Sequence, residues 1–377
     1  MSIVPANLFI CDTPFHVLTS LIIASGEHTN GANDFILTDN MSNVYSLADR
    51  LSKSSLADNA YVAKTKHAYG NPIHNKVEYF RDIFESFSLR WDFPTASKTY
   101  NSLFVRNYRD PIAVSAYSYF KEKNDDLSFV VYDEGYSSYT QDYWTANQTS
   151  APHKAAEFIA RVFRGKQDTS AHISKALLYT PQFLDFKLPF PAISLLPPDF
   201  QLDGCIISEI NQIFGFDPSF FNEIAGKNEG ARKYLFFEES FATDRGNDAD
   251  LGILDEVAEI VGKENVFVKL HPRTSIDRFT PLGYAVLKGA NYPWEVCALN
   301  APKECPLTLV SFSSGSLLNY HFICDRAIKS VFLYELYPDA CQTMDDDVKR
   351  FFAKFISRYP EGVSVPATKA ELREALS

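Results

Sequence analysis

The sequence predicts an α/β protein made of two halves, each a doubly wound sheet. Three observations carry this. Apolar runs of strand length alternate with amphipathic helical stretches along the chain. At 377 residues the chain exceeds the roughly 250–300 residues at which single cores stop growing. A stretch with five prolines, between residues 180 and 200, divides the alternation into two series.

In the first series, Asn7–Cys11 is apolar and short enough for a buried strand. Asp12-Thr13-Pro14 then starts a helix, with Thr13 as N-cap, Pro14 in the first turn and Val17, Leu18, Leu21 and Ile22 as its apolar stripe. A strand at Asp34–Thr38 and a helix from Val44 to Leu56 follow, then a strand at Leu103–Val105 and a helix from Ile112 to Phe120. The strand Ser128–Tyr132 runs into Asp133-Glu134-Gly135. In the second series the strands are Lys233–Phe237, Asn265–Leu270, Tyr284–Leu287, Leu307–Ser311 and Lys329–Leu333, with a helix at Leu251–Val261. A last helix, Asp345–Ser357, sets Phe351, Phe352, Phe355 and Ile356 beside Lys349, Arg350 and Lys354. Such a basic amphipathic helix suits a membrane surface, but burial of its aromatic face against the protein is the preferred reading. The expected organisation is a Rossmann-like domain over 1–180, a linker over 181–200, a second Rossmann-like domain over 201–345, and a C-terminal helix over 346–377 open to packing back on the first domain. The two domains are expected to face a central cleft.

Composition excludes several functions. A net charge of −11 argues against a nucleic-acid coat. The 31 Phe and 20 Tyr imply a large core and stacking surfaces for ring-shaped ligands. The six cysteines show no CxxC and no metal-ligand spacing, which fits buried reduced thiols and a cytoplasmic protein. No apolar run reaches the roughly 20 residues of a membrane span, and the first residues lack the pattern of a signal peptide. Without such a signal the Asn147-Gln-Thr149 sequon carries little weight.

The chemistry-bearing residues gather at the ends of apolar runs, where open α/β sheets place their ligands. Val-Lys269-Leu-His271-Pro272-Arg273 sets an imidazole and two cations at a strand end, with proline suited to a first helical turn whose free N–H groups favour phosphate. The plain alternative is a polar helix cap, and alternation along the strand turns Lys269 a different way from its neighbours. Ser311-Phe-Ser313-Ser314-Gly315-Ser316 repeats the arrangement before a helix at Leu317–Ile323; hydroxyls and N–H groups there can surround a phosphate without a metal. Asp133-Glu134-Gly135 reads as a metal-binding pair, as a general base with a raised pKa, or as a solvated turn. No second acidic cluster has ligand spacing, so metal is the weaker of these. Asp12, Thr13 and His16 lie at the first strand-to-helix turn, and His16 suits a structural role equally well.

Taken together, these motifs resemble those of bacterial sialyltransferases. The nearest group is glycosyltransferase family 52, with similarity to family 80 and to bacterial polysialyltransferases. The shared series is an acidic D/E-D/E-G motif, an HP motif and a late serine pair, here Asp133-Glu134-Gly135, His271-Pro272 and Ser313-Ser314. Tyr292-Pro-Trp-Glu295-Val296 is similar to the F-E-V segment of family 80, and Asp12-Thr13-Pro14-Phe15-His16 to the T-P-Y/F-Q/H turn of family 52 relatives. The second acidic position, usually Asp, is Glu134 here, which leaves the acceptor open.

The resemblance implies a GT-B fold and an inverting, metal-independent transfer of sialic acid from CMP-sialic acid to a glycan hydroxyl, with no cofactor. It makes Glu134 the general base, Asp133 its tuning partner and His271 the acid or hydrogen-bond donor to the leaving phosphate. Donor binding falls to Lys269, Pro272, Arg273, Glu295, Ser311, Ser313 and Ser314. Asp12, Thr13, Gly135 and Ser137 line the acceptor side. The acceptor expected is a surface glycan such as lipooligosaccharide or capsule, and no nucleic acid is a partner. Peripheral contact with the inner face of the cytoplasmic membrane and a homodimer both stay open. Other readings are a GT-B enzyme for another nucleotide sugar (UDP-hexose or CMP-Kdo), or a degenerate nucleotide- or glycan-binding protein.

Overall fold

A computed structural model describes residues 5–26, 28–65, 94–145, 154–155, 158–159, 162, 168–196, 202–225, 232–239, 248–271, 274, 276–287, 292–302, 307–324, 328–340 and 344–377. The chain forms two compact units, 1–134 with 141–214 and 135–140 with 215–377. Asn147 and Thr149 of the sequon lie outside the described residues.

The first unit holds a seven-stranded sheet in the order β3-β2-β1-β4-β5-β6-β7, each neighbouring pair parallel. Its strands are β1 (Ala6–Cys11), β2 (Ala32–Thr38), β3 (Asn59–Ala63), β4 (Ser102–Val105), β5 (Ser128–Tyr132), β6 (Ile173–Leu178) and β7 (Ala192–Ser194). The central strands are continuously apolar because helices cover both faces of a parallel sheet. Register brings Phe9 of β1 between Phe35 of β2 and Phe104 of β4, with ring centroids 4.9 and 4.5 Å apart. Helices α1 (Pro14–Ser25), α2 (Val44–Leu51), α3 (Pro111–Lys121) and α4 (Gly204–Phe214) belong to this unit. α1 starts as its sequence predicts: the Thr13 hydroxyl accepts from the His16 N–H at 3.2 Å, and Pro14 occupies the first turn.

Within the expected linker at 181–200, the described residues 181–196 hold the edge strand of this sheet, β7. β7 pairs with β6, and Leu195 N–H bonds to Leu178 O at 2.7 Å. Proline is tolerated there because β7 is a three-residue edge strand with a neighbour on one side only. The boundary falls at Phe214, where α4 stops. Arg50 of α2 donates to the Ile213 carbonyl at 2.5 Å, and Gly215 follows with φ 66°, the left-handed turn that ends helices.

The second unit holds a six-stranded parallel sheet in the order β10-β9-β8-β11-β12-β13. These strands are β8 (Lys233–Phe237), β9 (Val266–Lys269), β10 (Ala285–Val286), β11 (Leu307–Ser311), β12 (Lys329–Phe332) and β13 (Val363–Ser364). Its helices include α5 (Ala249–Val261), α6 (Trp294–Leu299), α7 (Gly315–Cys324), α8 (Asp346–Arg358) and α9 (Lys369–Leu376). Thus 346–377 is part of the second unit. α8 is capped by Asp345, whose carboxylate accepts from Val348 N–H at 2.9 Å, and it buries Phe351, Phe352 and Phe355. The aromatic face therefore packs on protein: Phe352 meets Phe332 and Tyr334 edge-on at 5.1 and 5.2 Å. Residues 135–140 join the same cluster, with Tyr139 stacked on Phe351 at 5.1 Å.

Among the described residues no helix is long and apolar enough to cross a membrane. Cys11 and Cys297 are buried, and burial pushes both thiols up to about 12; Cys205, expected to be buried, is exposed at the start of α4. Phe352 is fully buried. Phe352→Ala is expected to destabilise the second unit by about 3–5 kcal/mol, the usual cost of emptying an aromatic site. A urea midpoint equal to wild type would show that α8 does not anchor this core.

Candidate functional site

Each sheet has a switch point, where the first strand has neighbours reached by crossovers in opposite directions. In the first unit this lies between β1 and β4, and in the second between β8 and β11. The crevice at the carboxyl end of such a pair is where open α/β sheets bind ligands.

At the first switch point, Asp12 follows β1 and Arg106 follows β4. Their side chains meet across it, Nε to Oδ2 at 2.9 Å. Arg106 uses its other nitrogens as well: Nη1 donates to Glu134 Oε2 at 2.9 Å, and Nη2 pairs with Asp110 Oδ2 at 2.8 Å. One guanidinium thus serves three carboxyl groups from three segments. All are largely withdrawn from water, with side-chain exposures of 21% for Arg106, 5% for Asp12, 13% for Asp110 and 14% for Glu134.

The electrostatics follow from this packing. Burial pushes the Glu134 carboxyl above the ordinary carboxylate range, the Arg106 charge opposes it, and the Asp12 charge adds to it. Burial also acts against ionised Asp12, but the charge and hydrogen bond of Arg106 win and lower its pKa. Asp110 goes the other way. Burial, with the charges of Asp12 and Glu134, raises it to about 8 against the pull of Arg106. One cation cannot hold three buried anions, so Asp110 keeps its proton at neutral pH. His16 is buried and uncharged: burial and Arg106 lower it to about 3, and its Nδ1 accepts from Asp12 N–H at 3.3 Å.

Asp133 takes a different direction from Glu134. It is fully buried, its Oδ2 accepts from Tyr179 N–H at 3.0 Å, and its own N–H donates to Leu177 O. These bonds tie the end of β5 to the end of β6 and give Asp133 a structural task. Thr13 is exposed and caps α1. Gly135 belongs to the second unit, and its φ of 108° disfavours a side chain there, although a Cβ would meet the Asn319 amide only at ordinary contact distance, 3.7–3.8 Å. Ser137 offers its carbonyl to Thr140 N–H at 3.1 Å.

At the second switch point the two glutamates after β8 reach opposite ways. Glu238 accepts from His271 N–H at 2.9 Å on the β9 side and pairs with Arg278 at 3.1 Å. Glu239 crosses to β11, where Ser311 Oγ donates to it at 2.9 Å and Ser313 N–H at 2.5 Å; Ser313 Oγ lies 3.3 Å from its second oxygen. Ser314 N–H donates to Ser311 Oγ at 3.1 Å, closing a tight turn before α7. The serine turn is thus built to receive an anion, and in this structure the anion is a carboxylate of the same chain.

Lys269 and Glu295 are buried beside each other's fields. Burial lowers Lys269 and raises Glu295, each opposed by the other's charge. Glu295 stands in the first turn of α6, and its Oε1 accepts from Asn319 Nδ2 at 2.9 Å. After His271 the described residues form a turn, Thr274 N–H to His271 O at 2.9 Å, and no α-helix before β10. The helix expected after the His-Pro pair is therefore not seen among them; Pro272 and Arg273 themselves lie outside the described residues.

Within the first unit, then, the fold unites Asp12 and Glu134 but turns Asp133 aside. Within the second it unites Ser311, Ser313 and Ser314, and separately Lys269 and Glu295. Arg106, Asp110, Glu239 and Asn319 escape the motif reading. The signal for Arg106 and Glu239 was present: each stands within two residues of the end of a buried apolar strand, the same position as Asp12 and Asp133.

No known family model and no curated protein sequence matches the chain. Solved structures do. An α/β-galactoside α-2,3-sialyltransferase from the luminous marine bacterium Photobacterium phosphoreum is similar over 96% of this chain and 98% of its own, at 12% identity and a TM-score of 0.52. The chain has the GT-B fold. Arabidopsis thaliana UGT89C1 complexed with UDP-L-rhamnose matches over 100% of this chain and 89% of its own, at 11% identity and a TM-score of 0.56. UDP-GlcNAc 2-epimerase from Methanocaldococcus jannaschii matches over 98% and 91%, at 12% identity and a TM-score of 0.52. Two parallel-sheet α/β domains are common to this GT-B likeness and to the topology described above.

The protonated state of Asp110 has a measurable consequence. Its folded pKa, about 8, lies above the ordinary value of 3.8, so the folded state holds a proton that the unfolded state has released between these limits. Its contribution to stability is complete below about pH 4 and declines as pH rises towards about 8. Asp110→Asn, which cannot ionise, should flatten this decline in denaturation series across that range. An unchanged slope would show that Asp110 is ionised in the folded protein.

Proposed function

We propose that the chain is an inverting, metal-independent glycosyltransferase that moves sialic acid from CMP-sialic acid to a hydroxyl of an acceptor glycan. The observation that carries this reading is Glu134: a carboxylate at the carboxyl edge of the first sheet, raised by burial yet held in a fixed direction by Arg106. A sugar hydroxyl is a poor nucleophile, and a carboxylate with an elevated pKa is a better base for it. In the proposed reaction the acceptor oxygen forms a bond to the anomeric carbon as the bond from that carbon to the CMP phosphate oxygen breaks. The acceptor proton passes to Glu134, and the electron pair leaves with CMP. His271 supplies a proton or hydrogen bond to the departing phosphate, the serine turn donates hydrogen bonds to it, and Glu295 accepts from the nucleoside.

Independence from metal is supported by what already holds the acidic groups. Asp12 and Glu134 are paired with Arg106, and Asp133 with a backbone N–H. The acceptor proposed is a surface glycan such as lipooligosaccharide or capsule, reached from the cytoplasmic side. Similarity to Photobacterium sialyltransferases supports the donor assignment, together with the ordered motifs of the sequence.

Incubation of CMP-sialic acid, CMP-Kdo and UDP-hexoses with lactose, sialyllactose and lipooligosaccharide, read by mass spectrometry, tests the reading. Sialylated product that persists in excess EDTA is expected. Glu134→Gln should retain CMP binding and lose roughly 10²–10⁴-fold in transfer rate. Transfer from a UDP-hexose alone would replace the donor assignment, and full activity of Glu134→Gln would remove the base.

A further inference from the structure

We infer that the Glu239 carboxylate occupies the seat of the donor's phosphate and leaves it when nucleotide binds. The inference rests on the donor site proposed above, in the second unit. Its first support is position: Glu239 bridges β8 to the turn after β11, across the switch point where an α/β sheet takes its ligand. The second is the direction of the donors. Ser311 Oγ accepts from Ser314 N–H, so its own proton is directed to Glu239, as is the N–H of Ser313. These groups present hydrogens to one point, and a carboxylate and the anionic phosphate oxygens of the donor or of CMP satisfy them in the same way.

The third support is the contrast between adjacent glutamates. Glu238 is 3% exposed and held by His271 N–H and Arg278, so it is fixed. Glu239 is partly exposed, whereas Ser311 and Ser313 are 0% and 6% exposed. Its carboxylate can regain water on leaving, but the buried donors cannot, and they need another anion. Two anions cannot share the seat. Binding of a phosphate therefore expels Glu239, and Glu239 lowers the affinity of any phosphate that enters. In the resting protein it keeps the serine turn formed and its donors paired.

Calorimetric titration with CMP and with cytidine, which lacks the phosphate, tests the inference on wild type, Glu239→Ala and Glu239→Gln. Removing the charge should tighten CMP at least about tenfold, leave cytidine affinity unchanged, and do so in both variants; the isosteric Gln guards against misfolding of the Ala form. Adding Ser313→Ala to Glu239→Ala should cancel the gain, which a merely structural glutamate would not produce. CMP affinity unchanged or weakened in folded variants, or a gain shared by cytidine, overturns the inference. If no form binds CMP, the donor assignment fails separately, and UDP and inorganic phosphate then read the seat: a gain on removing Glu239 sustains the inference, and no gain ends it.

Discussion

A carboxylate taken out of water must find a cation or several hydrogen-bond donors, and this constraint organises both sheet edges of the protein. In the first unit Arg106 meets it. Without that guanidinium, Asp12, Asp110 and Glu134 would each lose an ion pair, and the ends of strands β1, β4 and β5 would carry carboxyl groups that repel one another when ionised. Removing one partner of a buried ion network commonly costs about 3–5 kcal/mol, so Arg106 is as much a condition of the fold as of any chemistry.

The two switch points meet the constraint by opposite means. The first uses one cation against three carboxyl groups, one of which stays protonated. The second uses hydroxyl and N–H dipoles against one carboxylate. A fixed cation holds a base in place through a reaction. Neutral dipoles, by contrast, exchange one anion for another at little cost, since the donors are satisfied before and after. The first arrangement suits a group that must stay, the second a ligand that must come and go.

Much of the fold was legible because its signals are local. The central strands β1, β2, β4, β5, β8, β9, β11 and β12 are the apolar runs that the sequence marks as strands, and Thr13 caps α1 with the side-chain oxygen accepting the bond its residue type suggests. Edges and partners were less legible. Prolines near β7 mimic a linker because the difference between a linker and an edge strand lies in pairing with β6, which is 14 or more residues away. α9 and β13 escaped because neither has a long apolar run. In the site, motif reading found the groups at strand ends but not what they touch. Arg106 lies 94 positions from Asp12, and Glu239 lies 72 from Ser311, so only the strand order brings them together.

The acidic pair shows how adjacent residues of one type acquire different tasks. Asp133 and Glu134 follow the same strand, yet their side chains meet different partners. Asp133 meets the N–H of Tyr179 beside β6 and is fully buried, so its carboxylate helps to hold two strand ends together. Glu134 meets Arg106 through Oε2 at 14% side-chain exposure. The longer side chain is consequential: it reaches the guanidinium beside β4 while its carboxylate stays at the margin of the buried cluster. A base needs a raised pKa, a fixed direction and access to its proton. In the role proposed for Glu134, burial provides the first and Arg106 the second. The residual exposure of Glu134 provides the third, which fully buried Asp133 does not have.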